Sequence, residues 1–371
     1  MNNKLRVAVL GAGNWARVAH IPGYKRDSRW DVVAVCDPQR NLAEQAAAEF
    51  GIPEVTTDHE RVLNRSDVDV IDVCTPSPTH FTLAWSALEA GKHVLCEKPV
   101  AFDFRDTLRA RDLARRKGLH TKLGFTFRYS PAMQYMKELI DSGYAGEPYI
   151  FNGYEQNSQW IYPDTPLRQV DPDADQSVLQ VSSLEGYGAP IIDLGHWFVG
   201  ADFNRVVGTM RNCIAERKVR GFPDRMRINI DDADIFIGEF KNGTLASIQT
   251  SYVTVGNYPG LEARYYGSRG AVICRLVEEF GICETLKVAT ADSVEFKQIE
   301  VPQRFYPPGG SARESWRSLF YSNLVSSFAS EILAGSPPQG DFSDGAWVQE
   351  VINAVELSYR ESRWINLPLP Q

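Results

Sequence analysis

The chain has 371 residues, of which 43% are hydrophobic and 23% charged, and its formal net charge is −8. This length suffices for two domains that each bury a hydrophobic core. The acidic balance argues against binding to nucleic acid or to an anionic membrane, because both select a basic protein surface. The chain shows no signal-peptide pattern and no run of roughly 20 apolar residues that would span a bilayer. Its six scattered cysteines lack CxxC spacing and indicate reduced, buried thiols in a cytoplasmic protein.

Residues 4–125 alternate short apolar runs with longer helical patterns. The runs show little polar alternation, which is typical of strands buried on both faces of a parallel sheet. The predicted strands are Leu5–Leu10, Val32–Cys36, Val68–Cys74, His93–Cys96 and His120–Phe125. The predicted helices include Asn41–Phe50, Thr79–Ala90 and Asp103–Lys117. Strands alternating with helices predict a doubly wound α/β domain over residues 1–125.

Strands become more frequent than helices after residue 126. The predicted strands are Pro148–Tyr154, Arg205–Ile214, Ile228–Phe240, Thr244–Val255, Leu261–Gly267 and Ala271–Cys274. The predicted helices are Pro131–Ser142, Pro190–Val199, Ser315–Ala334 and Ser343–Ser362. Asn242-Gly243 predicts a tight hairpin between two of these strands. We expect residues 126–371 to form an α+β domain on a mostly antiparallel sheet, with the last helix returning toward the first domain.

A glycine-rich turn, Gly11-Ala12-Gly13-Asn14-Trp15-Ala16, follows the first predicted strand and precedes a helix. In this GxGxxA pattern the first glycine permits the turn, the second lets the backbone approach a pyrophosphate, and the alanine allows close helix packing. The helix N-terminus offers N–H groups to the phosphates. Asp37, at the end of the second predicted strand, is placed to bind the ribose hydroxyls and to repel a 2′-phosphate. The alternative is that Asp37 is only a turn residue. The sequence therefore predicts NAD rather than NADP, bound by Gly11, Gly13, Asn14, Trp15 and Asp37.

Two further turns follow the third and fourth predicted strands. They contain Thr75, Pro76, Ser77 and His80 in the first and Glu97-Lys98-Pro99 in the second. Ligands of open α/β sheets bind at the carboxyl ends of the strands, so we expect these residues to contact the cofactor. Lys98, fixed between Glu97 and Pro99, is placed to polarise or deprotonate a substrate hydroxyl near the nicotinamide.

Several segments together resemble the glucose–fructose oxidoreductase and inositol dehydrogenase family (Gfo/Idh/MocA). They are GAGNWARVAH at 11–20, VCTPSPTHF at 73–81, AGKHVLCEKP at 90–99, GFTFRYSPA at 124–132 and SDGAWVQEVINAVELSYRESRWINLPL at 343–369. The resemblance implies a Rossmann domain followed by a domain on a large open sheet, through which such proteins often form homo-oligomers. It also implies NAD(P)-dependent redox chemistry on sugars, polyols or their derivatives, with Lys98 in the catalytic position. We expect no metal site.

The sequence departs from the family pattern at a second motif, Asp-x-Gly-x-His-x-x-Asp, whose Asp and His assist the lysine. In an ungapped alignment, Gly186 and Pro190 replace them, Asp193 is a supporting group and His196 an ordinary helix histidine, so that Tyr187 becomes a candidate helper of the lysine. With one residue deleted, Asp193 and His196 supply the pair from one helix face. We favour the ungapped alignment. The catalytic candidates are Lys98, Asp193, His196 and Tyr187.

Polar and aromatic residues also suit a carbohydrate, whose ring stacks on flat apolar groups while its hydroxyls pair with polar ones. The substrate-binding candidates are Arg128, Tyr154 and Trp160. The leading hypothesis is an NAD-dependent dehydrogenase or reductase acting on a sugar, glycoside or polyol. Two alternatives remain open: an NAD-dependent glycoside-cleaving enzyme that recycles its hydride, and a non-catalytic regulator that keeps the dinucleotide fold.

Overall fold

The computed structural model describes residues 4–370 except 169, 171–172, 257–258 and 280–281. The chain divides into two compact units. The first comprises Met1–Ser130 and Tyr306–Trp347, and the second comprises Pro131–Phe305 and Val348–Gln371. This division differs from the single boundary predicted after residue 125, because a late segment of the chain returns to the first unit.

Parallel strands form the sheet of the first unit, in the order β3-β2-β1-β4-β5-β6. The strands are β1 (Leu5–Leu10), β2 (Trp30–Cys36), β3 (Glu54–Thr56), β4 (Val70–Val73), β5 (His93–Cys96) and β6 (Thr121–Leu123). This is the strand order of a dinucleotide-binding Rossmann fold, so the predicted α/β class is confirmed. The sequence did not predict β3, since it has only three residues, of which two are partly buried, and contains no apolar run.

The helices of residues 1–130 connect these strands. They are α1 (Ile21–Arg26), α2 (Arg40–Phe50), α3 (His59–Leu63), α4 (His80–Glu89) and α5 (Phe104–Lys117). A π-helical turn, Ala16–His20, precedes α1, and a 3-10 turn, Ser77–Thr79, precedes α4. Another 3-10 turn spans Thr126–Tyr129. The helix between the glycine loop and β2 therefore starts in a wider turn than an ordinary α-helix, a feature that is frequent at functional sites.

The second unit is built on a sheet in the order β16-β15-β14-β13-β7-β12-β11-β8-β17, antiparallel except between β7 and β12. Its strands are β7 (Pro148–Gln156), β8 (Phe203–Arg211), β11 (Ala233–Phe240), β12 (Leu245–Ser251), β13 (Pro259–Gly267), β14 (Gly270–Glu279), β15 (Ile282–Thr290), β16 (Ser293–Ile299) and β17 (Ile365–Asn366). A small pair, β9 (Glu216–Lys218) and β10 (Arg225–Arg227), lies apart from this sheet. The predicted mostly antiparallel sheet is thus confirmed. Gly243, with φ 87°, makes the predicted turn between β11 and β12.

The remaining helices are α6 (Pro131–Asp141), α7 (Ala189–Val199), α8 (Trp316–Ala334) and α9 (Phe342–Glu361), and a 3-10 turn spans Gln303–Phe305. A π-helical turn, Leu184–Gly188, leads directly into α7. In the second unit, α6 and α7 pack on the large sheet. The helix α8 belongs to the first unit, whereas α9 begins in the first and continues into the second. None of the helices in the described residues is long and apolar enough to cross a membrane.

Candidate functional site

Backbone hydrogen bonds tie the carboxyl ends of the central strands of the first sheet to one another. Gly11 N–H donates to the carbonyl of Cys36 at 2.8 Å, and Cys74 N–H donates to that of Leu10 at 2.8 Å. In the same way Glu97 N–H donates to the Val73 carbonyl at 2.9 Å. The glycine loop, the Thr75 turn and the Glu97-Lys98-Pro99 turn therefore share one sheet edge, as the sequence predicts.

The glycine loop leaves space that a dinucleotide can occupy. A Cβ on Gly11 would lie 2.4 Å from the carbonyl oxygen of Cys74, and its φ of 99° disfavours any other residue. A Cβ on Gly13 would meet nothing within 4 Å. Asn14 is exposed beside it, and Ala16 is fully buried under the helix start. The loop is thus closed on its protein side and open on the other, as a phosphate site requires.

Asp37 is almost buried at the end of β2, and its carboxylate braces the glycine loop. Oδ2 accepts a hydrogen bond from Ala12 N–H at 2.8 Å, and Oδ1 accepts one from Gln39 N–H at 2.8 Å. A carboxylate has about four acceptor positions, so these two bonds leave room for ribose hydroxyls. The nearby cation Arg40 is engaged by Glu44 at 2.8 Å.

His80 links the two turns that follow β4 and β5. Its Nδ1 lies 2.7 Å from the Pro99 carbonyl oxygen and its Nε2 lies 2.7 Å from that of Thr75. Both ring nitrogens thus face backbone oxygens, so that His80 holds the two turns together. In the same turn Ser77 is buried, and the Thr79 hydroxyl donates to that of Thr75 at 2.7 Å.

Lys98 is half-buried and directly follows Glu97, whose carboxylate accepts several hydrogen bonds. Glu97 Oε1 accepts hydrogen bonds from the Trp15 indole at 2.9 Å and from the Tyr321 hydroxyl at 3.0 Å, and it lies 3.2 Å from His20 Nε2. Burial alone would raise the pKa of Glu97, but the charge and hydrogen bond of His20, with help from Trp15 and Lys98, lower it to about 2. Glu97 is therefore ionised beside the lysine.

Sequence reasoning missed the residues behind Glu97, although one signal was present. Asp72 is a charged residue inside the apolar strand β4 and is fully buried, a placement that carboxylates rarely adopt without a partner. Its partner is His20, whose Nδ1 lies 2.8 Å from Asp72 Oδ2. Tyr321, on α8, had no local signal, because it is far from these residues along the chain.

In the second unit, a π-helical turn that the sequence did not predict precedes the helix with the catalytic candidates. Asp231 Oδ1 and Oδ2 accept hydrogen bonds from the backbone N–H groups of Ser182, Ser183 and Leu184, and the last of these bonds is 2.8 Å long. A buried carboxylate in this position caps a helix N-terminus and interacts favourably with its dipole. The helical segment therefore starts at Leu184 with a π-helical turn that the sequence did not predict, whereas the α-helix α7, Ala189–Val199, agrees with the predicted Pro190–Val199.

The early start places the two candidate pairs at different ends of the helix. Gly186 and Pro190 lie in its opening turns, whereas His196 lies in its last turn, where Nε2 is 3.3 Å from Asp202 Oδ1. Asp193 lies between them and is buried. This length favours the ungapped alignment, in which Gly186 and Pro190 hold the motif positions.

Tyr187 projects from the opening turn into an aromatic cluster with Trp160 and Tyr252. The ring centroids are 6.3 Å apart for Trp160 and Tyr187, 5.8 Å for Tyr187 and Tyr252, and 5.5 Å for Trp160 and Tyr252. The Tyr187 hydroxyl donates to Gln159 Oε1. Trp160 and Tyr187 are partly exposed, so the structure brings two of the predicted residues together at one surface.

The other two substrate-binding candidates are Arg128, in the first unit, and Tyr154, in the second. Arg128 is 3% exposed in the first unit, with Nη1 3.4 Å from Asp344 Oδ2, which indicates a structural role. Tyr154 is on β7, directly after Gly153, against which Ile191 of α7 packs, and by strand alternation it faces away from that helix. It lines a cavity of about 270 Å³ with Glu262 and Arg264. In the described residues, therefore, Tyr154 does not join the aromatic cluster.

Two family descriptions match this chain. The oxidoreductase family with an NAD-binding Rossmann fold matches residues 5–125, and the Gfo/Idh/MocA C-terminal domain matches residues 133–273. Among the described residues, no group of three or more His, Cys, Asp or Glu side chains is arranged to hold a metal ion. The family match of residues 5–125 identifies the cofactor as NAD, in agreement with the glycine loop and Asp37.

Relatives of known activity extend the match over most of the chain. Levoglucosan dehydrogenase of Pseudarthrobacter phenanthrenivorans is 23% identical over 353 residues, 91% of this chain and 89% of that protein. D-glucoside 3-dehydrogenase of Escherichia coli is 29% identical over 266 residues, 68% of this chain and 71% of that protein. The crystal structure of an NAD binding oxidoreductase from Klebsiella pneumoniae has the same fold, with a TM-score of 0.88, 23% identity, and coverage of 99% of this chain and 100% of that one. The chain belongs to the Gfo/Idh/MocA family of NAD-binding oxidoreductases.

Proposed function

We propose that this protein is a dehydrogenase that oxidises a hydroxyl carbon of a sugar, glycoside or polyol with NAD, or reduces the corresponding ketone with NADH. The observation that carries the proposal is Lys98, which follows the ionised Glu97 at the sheet edge where the glycine loop lies. The names of the relatives support a carbohydrate substrate, because two of them act on levoglucosan and on D-glucosides.

The residues of the first unit fit a dinucleotide. The N–H groups that follow Gly13 hold the pyrophosphate, and Asp37 holds the adenosine ribose with its remaining acceptor positions. When bound, NAD supplies the hydride acceptor. Lys98 exchanges the proton of the substrate hydroxyl, a general acid–base role for which a lysine near other charges is suited.

The aromatic cluster of the second unit supports sugar binding. Trp160 and Tyr187 offer flat apolar faces, and the amide of Gln159 beside them offers a donor for hydroxyls. Sites with this mixture orient sugars by stacking and by a few hydrogen bonds. We therefore assign Trp160 and Tyr187 to the substrate, and we assign no catalytic role to His196.

The direct test is NADH formation by the purified protein with a panel of sugars, including levoglucosan, glucosides and inositols. Net NADH that depends on both the sugar and Lys98 is the expected result. Cleavage of a glycoside without net formation of NADH would show instead that the protein is a glycoside-cleaving enzyme that recycles its hydride. Tight NAD binding without turnover of any panel member, in either direction, would favour the regulator.

NAD is expected to bind at least about tenfold more tightly than NADP. The reason is that the charge of Asp37 opposes a 2′-phosphate, and two like charges about 4 Å apart near a protein surface repel by about 1–4 kcal/mol. Titration of both dinucleotides gives the ratio of dissociation constants, which Asp37→Ser should reduce. Asp31→Ser, an exposed position at the other end of β2, is the matched control and should leave the ratio unchanged. Equal affinity of the unaltered protein for both dinucleotides would refute the assignment.

His196→Asn is expected to lower kcat by less than about tenfold. His196 lies in the last turn of its helix and interacts with Asp202, so its loss removes a helix-end contact rather than a proton donor. Losing a general acid or base normally costs about 10²- to 10⁴-fold. Steady-state kinetics decide the question, and a hundredfold loss with unchanged folding and NAD affinity would restore His196 to the catalytic site.

We further propose that the protein is a cytoplasmic homo-oligomer that associates through the face of the large sheet opposite α7. Free thiols at all six cysteines support a reducing compartment. Neighbouring strands on that face expose Ile150, Ile237 and Leu245, which are 42%, 46% and 55% accessible. The mass of the protein in solution, measured by light scattering, tests the association.

A further inference from the structure

The fully buried His20 lies between two carboxylates at the end of the glycine-loop helix turn. Its Nδ1 is 2.8 Å from Asp72 Oδ2, and its Nε2 is 3.2 Å from Glu97 Oε1. A neutral imidazole donates from only one nitrogen, so its other lone pair would face a carboxylate lone pair. Only the imidazolium donates to both partners. The geometry therefore calls for a buried cation that joins β4 to the turn carrying Lys98.

The hydroxyl and thiol groups around His20 remain neutral. Burial raises the pKa values of Tyr24, Cys74 and Tyr321, which keeps all three neutral. Burial alone would lower the pKa of His20, but the charge and hydrogen bond of Asp72, with help from Cys74, outweigh it and raise the pKa well above the usual value. Asp72 is thus the counterion that keeps His20 charged.

The same cluster fixes Glu97 from several directions. The centroids of the Tyr321 and His20 rings are 4.0 Å apart. The Tyr321 hydroxyl donates a hydrogen bond to Glu97 Oε1, which also accepts one from the Trp15 indole N–H. On the other side, a Cβ on Gly124 would lie 2.5 Å from that oxygen. Glu97 therefore has little freedom, and the backbone of the next residue, Lys98, is held with it.

We propose that His20 is a positioning residue of the dehydrogenase: its imidazolium binds Glu97 to Asp72 and so fixes the main chain from which Lys98 reaches the substrate. This inference rests on the proposed function, since it assumes that Lys98 exchanges the substrate proton. His20 itself touches no reacting atom. A misplacement of about 1 Å at a reacting group can cost about a hundredfold in rate, which sets the size of the expected effect.

The test compares His20→Gln with Tyr321→Phe, which removes one hydrogen bond to Glu97 and retains the ring. We expect His20→Gln to lower kcat by about 10- to 100-fold, with KM and the NAD dissociation constant changed by less than about threefold. Tyr321→Phe should lower kcat by a smaller factor and preserve the fold. The pH profile of kcat should shift in His20→Gln, because the charge that surrounds Lys98 has changed.

His93→Gln is the matched control. His93 lies at the other end of β5, where its Nδ1 accepts a hydrogen bond from His120 N–H at 2.9 Å, and burial with the nearby His120 lowers its pKa to about 4. Removing this neutral imidazole should leave kcat and the pH profile unchanged. Equal losses in the His20 and His93 variants, or a loss of stability in His20→Gln with unchanged kcat, would overturn the proposal.

A second readout does not depend on turnover. The rate at which an acylating reagent modifies the Lys98 amine, followed across pH by peptide mass spectrometry, reports the surroundings of that amine directly. We expect the profile to change in His20→Gln and in Tyr321→Phe and to remain the same in His93→Gln. Changed labelling without any sugar oxidation would retain the role of His20 and reject the proposed function. Unchanged labelling in both cluster variants would reject the role of His20.

Discussion

Lys98→Ala should abolish turnover, lowering kcat by about 10²- to 10⁴-fold, while the NAD dissociation constant changes by less than about tenfold. The large loss is expected because a general acid–base group acts on the transferring proton in the rate-determining step. NAD affinity should survive, since the glycine loop and Asp37 form the main cofactor contacts. Stopped-flow and steady-state measurements with the best sugar of the panel give kcat, and titration gives the NAD affinity.

Two further variants show whether Lys98 is needed for proton exchange or only for its positive charge. Lys98→Arg keeps the positive charge but cannot release a proton near neutral pH, so it should be nearly as inactive as Lys98→Ala. Lys117→Ala, at the exposed end of α5, removes a surface lysine and should leave activity unchanged. If Lys98→Ala keeps more than about a tenth of the activity, the proton passes through another group.

The second large effect is the loss of stability that we expect when the buried ion pair between Lys122 and Glu331 is broken. Both side chains are buried, and Nζ lies 2.5 Å from Oε1 and 3.0 Å from the Tyr129 hydroxyl. Burial lowers the pKa of Lys122 to about 8, while Glu331 opposes that shift. Lys122→Met leaves Glu331 as a buried charge without its partner, which typically costs about 3–5 kcal/mol of the free energy of unfolding.

Denaturant unfolding of Lys122→Met measures this loss. The double variant Lys122→Met with Glu331→Leu should regain most of it, because apolar residues of similar size often replace a buried ion pair without loss. Arg40→Ala breaks an exposed pair with Glu44 and should change stability by less than about 1 kcal/mol. A double variant as unstable as the single one would show that the pair acts through packing rather than charge.

Local patterns were sufficient to predict five of the six strands of the first sheet. The strand Leu5–Leu10 was predicted to the residue, and the glycines after α2 and α5 end those helices in the left-handed conformation. These features depend on neighbours in the sequence, as apolar runs and helix caps do. In the large sheet, by contrast, β15 and β16 were missed, and the exposed side chains along β16 offer no buried face that a pattern could reveal.

The π-helical turn that begins at Leu184 could also not be predicted from neighbouring residues in the sequence. Gly186 and Gly188 lower helix propensity, and Pro190 is a usual first residue of a helix, so the sequence favoured the later start. The cap that permits the earlier start comes from Asp231, which is distant along the chain. The contact of His20 with Asp72 is a second case, since only the fold brings these residues together.

The return of α8 to the first unit bears on how the protein is made. Tyr321, Leu324 and Phe328 of this helix belong to the same buried cluster as Val7 and Val9 of β1. A nascent chain that ends before α8 therefore leaves apolar surface of the first unit exposed. The second unit likewise lacks part of its structure until Val348–Gln371 has been synthesised. Neither unit is complete until segments that follow residue 305 have been synthesised. Termination of the chain before α8 should therefore yield two incomplete domains for chaperones and proteases, rather than one intact domain and one truncated domain.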